Sequence, residues 1–235
     1  MRIKIIVLNN LALIAYLVIC IVLLPVYQYD IAPDAISYIS IANDYAEGDF
    51  SNALNAYWSP LISWLLVPFI LFKVSTVLAF KMVLILFGFL SYREFIQIIR
   101  NAILTFDSFI RSIIEWAVLP LFCFFALCNL TPDLLSIYFI LRYFNLLLNK
   151  QAHENRWQAV KLGLVCALAC FAKSYNLVFI LPHFIIYSFI QFRKKEGRLS
   201  NSAITLGVIF NFFNCMDEYV KYKIWETHLQ HQRSI

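Results

Sequence analysis

The chain has 235 residues, 62% hydrophobic and only 14% charged, against roughly 45 to 50% apolar and about 25% charged in soluble domains. That balance excludes a soluble globular enzyme, and 22 Phe with 13 Tyr against 5 Gly and 7 Pro exclude collagen-like, disordered and Gly-rich linker classes. The net charge of +5 falls in short basic clusters between apolar runs, where it orients a membrane protein, so no nucleic-acid partner is expected.

What remains is an all-α, polytopic transmembrane helix bundle with the lipid bilayer as its solvent. Ile5 to Tyr27 is apolar apart from Asn9 and Asn10 and long enough to cross a core of about 30 Å. It is too long for a signal-peptide h-region and lacks a small-x-small cleavage site, so it reads as an uncleaved first helix whose start Arg2 and Lys4 hold in the cytoplasm. From Ile5 through Phe72 there is no Lys or Arg, while Asp30, Asp34, Asp44, Glu47 and Asp49 crowd the stretch after the first helix. A cation-free stretch of this kind predicts a large translocated loop over about residues 28–76.

Within that loop Ile36, Ile39, Ala42, Tyr45 and Ala46 recur at helical spacing and predict a short helix lying on the membrane, opened by Pro33 and Asp34. Pro60 to Phe72 is apolar yet shorter than the roughly 20 residues a crossing needs. If it crossed, Arg93, Arg100, Arg111, Lys150, Arg156 and the cluster Arg193, Lys194, Lys195 and Arg198 would all fall outside; placed in the outer interface, it leaves them inside. Further spans are predicted at about 77–97, 112–130, 134–149, 158–173, 175–192 and 201–215, giving about six to seven crossings in all. Residues 1–216 then form one transmembrane region and 217–235 a polar tail. The expected location is the cell (inner) membrane, multi-pass, with a cytoplasmic N-terminus.

Several residues could carry chemistry. Asp34 at the start of its helix complements the helix dipole. In CNLTPDLLSIYF, Thr131 suits an N-cap, Pro132 the first helical position and Asp133 the first turn. The short loop places Asp133 at the outer membrane face with Asp34, where two carboxylates can share a divalent metal or act as a base and its partner. Lys73, Lys81 and Lys173 fall on the same side, where lysines either snorkel or bind a lipid-linked phosphate. Arg142 lies inside a span and calls for a partner that the sequence does not name. His183 follows Pro182, and its ring is expected to satisfy carbonyls freed by the kink. The six cysteines, Cys20, Cys123, Cys128, Cys166, Cys170 and Cys215, sit in apolar runs without a CxxC pair, which leaves neither a disulfide framework nor a zinc site. No GxGxxG, Walker A, HExxH or GxSxG occurs.

PDAISYISIANDYAEGDF followed by YWSPLISWLLVP resembles the first outer loop of the GT-C glycosyltransferases, the group of the protein O-mannosyltransferases and the bacterial aminoarabinose transferases. Asp34, Tyr38, Ile41 with Ala42, Gly48, and Ser59, Pro60 and Leu61 fill the group's recurring positions. LTPDLL resembles its second outer acidic motif, and LGLVCALACFAKSYNLVFILP its short paired helices with a Lys at the turn. The resemblance covers roughly residues 5–195, through short, degenerate motifs. It implies a transferase that passes a sugar from a polyprenyl-phosphate donor to an acceptor on the outer face, with inversion. Asp34 would be the base, Asp133 would support a metal or the acceptor, Lys81 and Lys173 would face the lipid phosphate, and Tyr38 and Trp58 would pack on the sugar or lipid.

Two departures stand out. Ala35 follows the acid where many members carry Glu, and members of the group are considerably longer, so a truncated and inactive product is one expectation. The rival readings are a transporter or flippase-like half, with Arg142, His183 and the outer acids lining a pathway, and a non-catalytic subunit.

Overall fold

The computed structural model describes residues 2–54, 57–102, 107–148, 155–193 and 201–214. Among them every regular element is a helix: α1 (Arg2–Tyr27), α2 (Pro33–Glu47), α3 (Phe50–Ala53), α4 (Leu61–Leu71), α5 (Thr76–Ala102), α6 (Ser108–Leu127), α7 (Asp133–Leu148), α8 (Arg156–Ala172), α9 (Asn176–Arg193) and α10 (residues 201–214). The polar tail, 217–235, and the basic residues Lys150, Lys194, Lys195 and Arg198 lie outside the described residues.

Three helices are long and apolar enough to cross a membrane: Thr76–Asn101 in α5, Ser108–Leu127 in α6 and Asn176–Arg193 in α9. α7 and α8 have 16 and 17 residues, about 24 to 26 Å at 1.5 Å per residue. α4, with 11 residues, measures about 16 Å and is too short for a crossing. The residue before its N-cap, Ser59, accepts through Oγ from the Ser174 N–H at 3.1 Å and ties the entry of α4 to the α8–α9 turn.

α5 is the hub, packed against α1, α4, α6 and α7. Tyrosines in its neighbourhood use their hydroxyls as clips on adjacent backbones: Tyr16 donates to Ile85 O at 3.1 Å, Tyr92 to Glu115 O at 2.7 Å, and Tyr187 to Leu147 O at 3.1 Å. α8 buries mostly small residues, including Ala159, Gly163, Cys166, Ala167 and Ala169, which allows backbones to approach closely where lipid supplies no hydrophobic drive. At Gly163 an added Cβ would stand 2.7 Å from Val208 Cβ and 2.9 Å from Thr205 O of α10.

Two features differ from the sequence expectation. α2 buries Ala35, Tyr38, Ile41 and Ala42 and leaves Ile36 exposed. Its inner face is rotated from the predicted stripe because the helix packs on α4, where Ser63 Oγ donates to Tyr38 O at 3.0 Å. The second concerns depth. Ser91 Oγ donates to Leu134 O at 3.0 Å, and Leu134 also lies against Gly88, so α7 begins level with the middle of α5. That is roughly 20 Å along α5 from Thr76. The 128–132 connection runs inward to reach this level, with Leu130 and Pro132 buried. Asp133 is therefore recessed within the bundle instead of standing level with the first turn of α5.

Candidate functional site

The recess is built from three connections. Asp133, first residue of α7, accepts from the Thr131 hydroxyl on one carboxylate oxygen and pairs with Lys173 on the other. Thr131 thus gives its hydroxyl to the acid beside it. The two charged side chains keep 23% and 28% of their surface exposed, so the pair is only partly covered. Lys173 also lies 5.5 Å from the centroid of the Tyr175 ring.

The α8–α9 turn that presents Lys173 is fixed from below by Asn176. This fully buried amide donates to Ala169 O at 2.7 Å and to Ser136 Oγ at 2.8 Å. It closes the end of α8 and ties the turn to α7, leaving its own polar atoms satisfied. Asn176 and Ser136 were not singled out in the sequence; the AKSYN turn itself was the available signal, since a polar residue just after a Lys-bearing helix end has carbonyls to satisfy.

The segment leading into α4 meets the Lys173 turn through Ser59 and Ser174, and α2 packs on α4. Tyr38 is buried, and its phenol is raised above the ordinary tyrosine range, first by that burial and then by the Asp34 and Asp133 carboxylates, with a smaller contribution from Tyr57. Both acids therefore act on one hydroxyl. Trp58 packs edge-on to Tyr38 at 4.9 Å and 74°, and to Tyr57 at 4.9 Å and 83°. Asp34 itself is exposed on the first turn of α2. Beside the Lys173 turn a cavity of about 180 Å³ is lined by Trp58, Pro60, Cys170, Phe171, Leu177 and Phe213, with Ser59 and Ser174 at its wall.

Lys81 is placed differently from the other predicted residues. It is fully buried, and its ammonium donates to Leu127 O at 3.0 Å, at the C-terminal end of α6. It neutralises free carbonyl charge there and offers no surface to a phosphate. Asp30 is the acidic charge that bears on it.

Among the described residues no three His, Cys, Asp or Glu side chains gather as a metal set. The two carboxylates proposed for a metal do not make a closed site, because Asp133 already has both oxygens engaged by Lys173 and Thr131.

Neither a family model nor a characterised protein nor a solved structure matches this chain.

Further along α7 the structure names the partner that Arg142 lacked. Arg142 Nη1 reaches Glu94 at 3.3 Å, and Glu94, which is buried, also accepts from Asn145 Nδ2 at 2.6 Å. Arg100 pairs with Glu115 at 2.9 Å nearby in the chain. His183 has a different partner from the one expected: its Nδ1 shares a hydrogen bond of 2.7 Å with the Tyr143 hydroxyl. Its ring is packed among Tyr143, Phe144, Phe179 and Tyr187, consistent with a structural role.

Proposed function

We propose that this chain is a membrane-embedded glycosyltransferase of the GT-C kind. It would take a sugar from a polyprenyl-phosphate donor and pass it to an acceptor hydroxyl on the outer face of the cell membrane. On this reading the chain crosses about six to seven times, with the N-terminus in the cytoplasm and the loop from about residue 28 to 76 outside. The observation that supports it is the Lys173–Asp133 ion pair, with the Asp34 and Asp133 charges both bearing on the buried Tyr38 hydroxyl.

The chemistry fits these groups. The acceptor oxygen attacks the anomeric carbon from the face opposite the phosphate, its proton passes to the Asp34 carboxylate, and the bond from carbon to phosphate oxygen breaks with its electron pair leaving on the phosphate. A phosphate leaving group needs little acid help, so a carboxylate base with cationic stabilisation suffices. Lys173 supplies that stabilisation. Asp133 positions Lys173, and Tyr38 with Trp58 gives the sugar an aromatic wall. Lys81 supports the end of α6 beneath the site.

The test is transfer from a radiolabelled polyprenyl-phosphate sugar by the full chain in membranes. Asp34→Asn keeps size and hydrogen bonding but removes proton acceptance, so turnover should fall roughly 10²- to 10⁴-fold. Asp44→Asn should stay near wild type. Equal rates for wild type and Asp34→Asn at matched protein levels would end this assignment. In a transporter the label would instead move unchanged across the bilayer, and Arg142→Gln would matter more than Asp34→Asn.

A further inference from the structure

The outward face of α5 changes character along its length. Met82 and Leu86 are exposed and apolar, whereas Arg93, Gln97 and Asn101, at successive four-residue steps, are exposed and polar. Residues four apart lie on one face of a helix. A lipid-facing stripe that turns polar marks a water boundary, and Arg93 lies about 26 Å along the helix from Thr76, close to one hydrocarbon thickness.

At this boundary two arginines flank Glu94, Arg93 preceding it in α5 and Arg142 reaching it from α7. Arg142 of α7 keeps 38% of its side chain exposed and bonds Glu94 through Nη1. Arg93 has no hydrogen-bond or ion-pair partner among the described residues. The charges that act on the Tyr138 hydroxyl, one helical turn before Arg142, are those of Glu94, Arg142 and Arg93, so all four groups share one locality between α5 and α7. Phe87 packs against the Tyr138 ring at 5.5 Å and floors it with apolar surface. Two positive charges face one negative, and the negative one is buried and already shared with Asn145. An exposed positive excess remains beside lipid-facing apolar surface.

We propose that Arg93 and Arg142, with the Tyr138 hydroxyl, bind the phosphodiester of an anionic phospholipid at the water boundary that Arg93, Gln97 and Asn101 mark. The guanidinium groups and the phenol supply donors to the phosphate oxygens, and the acyl chains lie along the exposed Leu86 and Met82 stripe. Basic pockets between helices at a membrane surface recognise lipid headgroups in this way. The site is independent of the transferase reading and can be tested without any activity.

The experiment is native mass spectrometry of the full chain in detergent, titrated with phosphatidylglycerol and, separately, phosphatidylcholine. Phosphatidylglycerol adducts should form in preference, and Arg93→Gln should weaken them about five-fold, the effect of one basic residue near an anionic headgroup. Arg156→Gln, exposed at the start of α8, should leave them unchanged. Because Arg142→Gln alone strands the buried Glu94, the paired change Glu94→Gln with Arg142→Gln serves as the second variant and should also weaken binding. Equal affinity for the two lipids, or equal losses from Arg93→Gln and Arg156→Gln, would overturn the proposal. Displacement of the lipid by millimolar inorganic phosphate would assign the site to a free anion and overturn the lipid as its occupant.

Discussion

Lys173 and Asp133, 40 residues apart in the chain, form an ion pair that joins the α8–α9 turn to the first residue of α7. Both side chains are partly exposed, so the pair is screened more than a buried one and less than a surface one. A double-mutant cycle of Lys173→Met and Asp133→Asn, followed by thermal unfolding in detergent, should give a coupling at the low end of about 0.5 to 3 kcal/mol. Additive losses would mean that the two residues act separately.

Orientation has its own test. The five described cysteines are buried or half-buried, so with Cys215 replaced by Ser an added thiol reports with little background. A membrane-impermeant maleimide should label Tyr57→Cys in intact cells, since Tyr57 is 79% exposed, and should label Arg156→Cys only after lysis. The reverse pattern would place the recess on the cytoplasmic side and remove the outer-face reading with it.

Gly163 sits where α8 and α10 meet backbone to backbone. Gly163→Ala puts a methyl 2.9 Å from Thr205 O, an atom that cannot rotate away. The helices must separate, and the Thr205 hydroxyl bond to Ala159 O, now 3.1 Å, lengthens. The expected loss is about 1 to 3 kcal/mol, read from the melting temperature. Gly207→Ala, with nothing within 4 Å of its added carbon, is the control and should melt as wild type or higher.

Lys73 closes α4 in the left-handed region, at φ 57°. Its N–H bonds Ile70 O at 2.8 Å and that of Val74 bonds Phe69 O at 2.9 Å, a Schellman ending that glycine ordinarily occupies. Lys73→Gly removes the steric penalty at a position exposed to solvent and should raise stability by about 0.5 to 1 kcal/mol, after allowance for the freer unfolded chain. A lower melting temperature would show that the lysine side chain has a role of its own.

Asp49 caps α3. The Ser51 hydroxyl donates to it at 2.6 Å, and the Asn52 N–H and amide at 3.2 and 2.8 Å. These bonds, the Ser51 hydroxyl first, hold its carboxyl below the ordinary value. A depressed carboxyl supports the fold above its unfolded value of about 3.9 and loses that support as pH falls through the folded value. Amide exchange at Asn52 should therefore accelerate, relative to its intrinsic rate, on acidification below about pH 4. In Asp49→Ala it should be fast at every pH.

The sequence shows helix positions well because long apolar runs between polar connections leave little choice: the predicted 175–192 is α9 at Asn176–Arg193, and 158–173 is α8 at Arg156–Ala172. Depth was not legible. A short connection between two helices reads as a surface turn, and nothing in NLTP announces that Leu130 and Pro132 are buried and carry α7 inward. The face that α2 turns to the protein was not legible because apolar residues on both sides of a short helix satisfy more than one stripe, and the contact with Ser63 of α4 selects Tyr38. Lys81 looked like a surface cation because charge alone carries no sign of burial; its partner is a backbone carbonyl, which no side-chain pattern encodes. Arg142 needed an acid from a distant helix, and Glu94 is 48 residues away.

The three tyrosine clips on Ile85, Glu115 and Leu147 bond to backbone oxygens, not to side chains. Backbone oxygens recur at every residue, but a phenol on a rigid ring reaches only the one at its own height. Sliding one helix past another by half a turn would release a hydroxyl into hydrocarbon at each clip, where no water replaces the bond. Piston-like motion is thereby resisted, while small rocking about the same contacts stays open. Any movement that admits a ligand to the recess should then be a tilt of α2 and α4 against a bundle that keeps its vertical register.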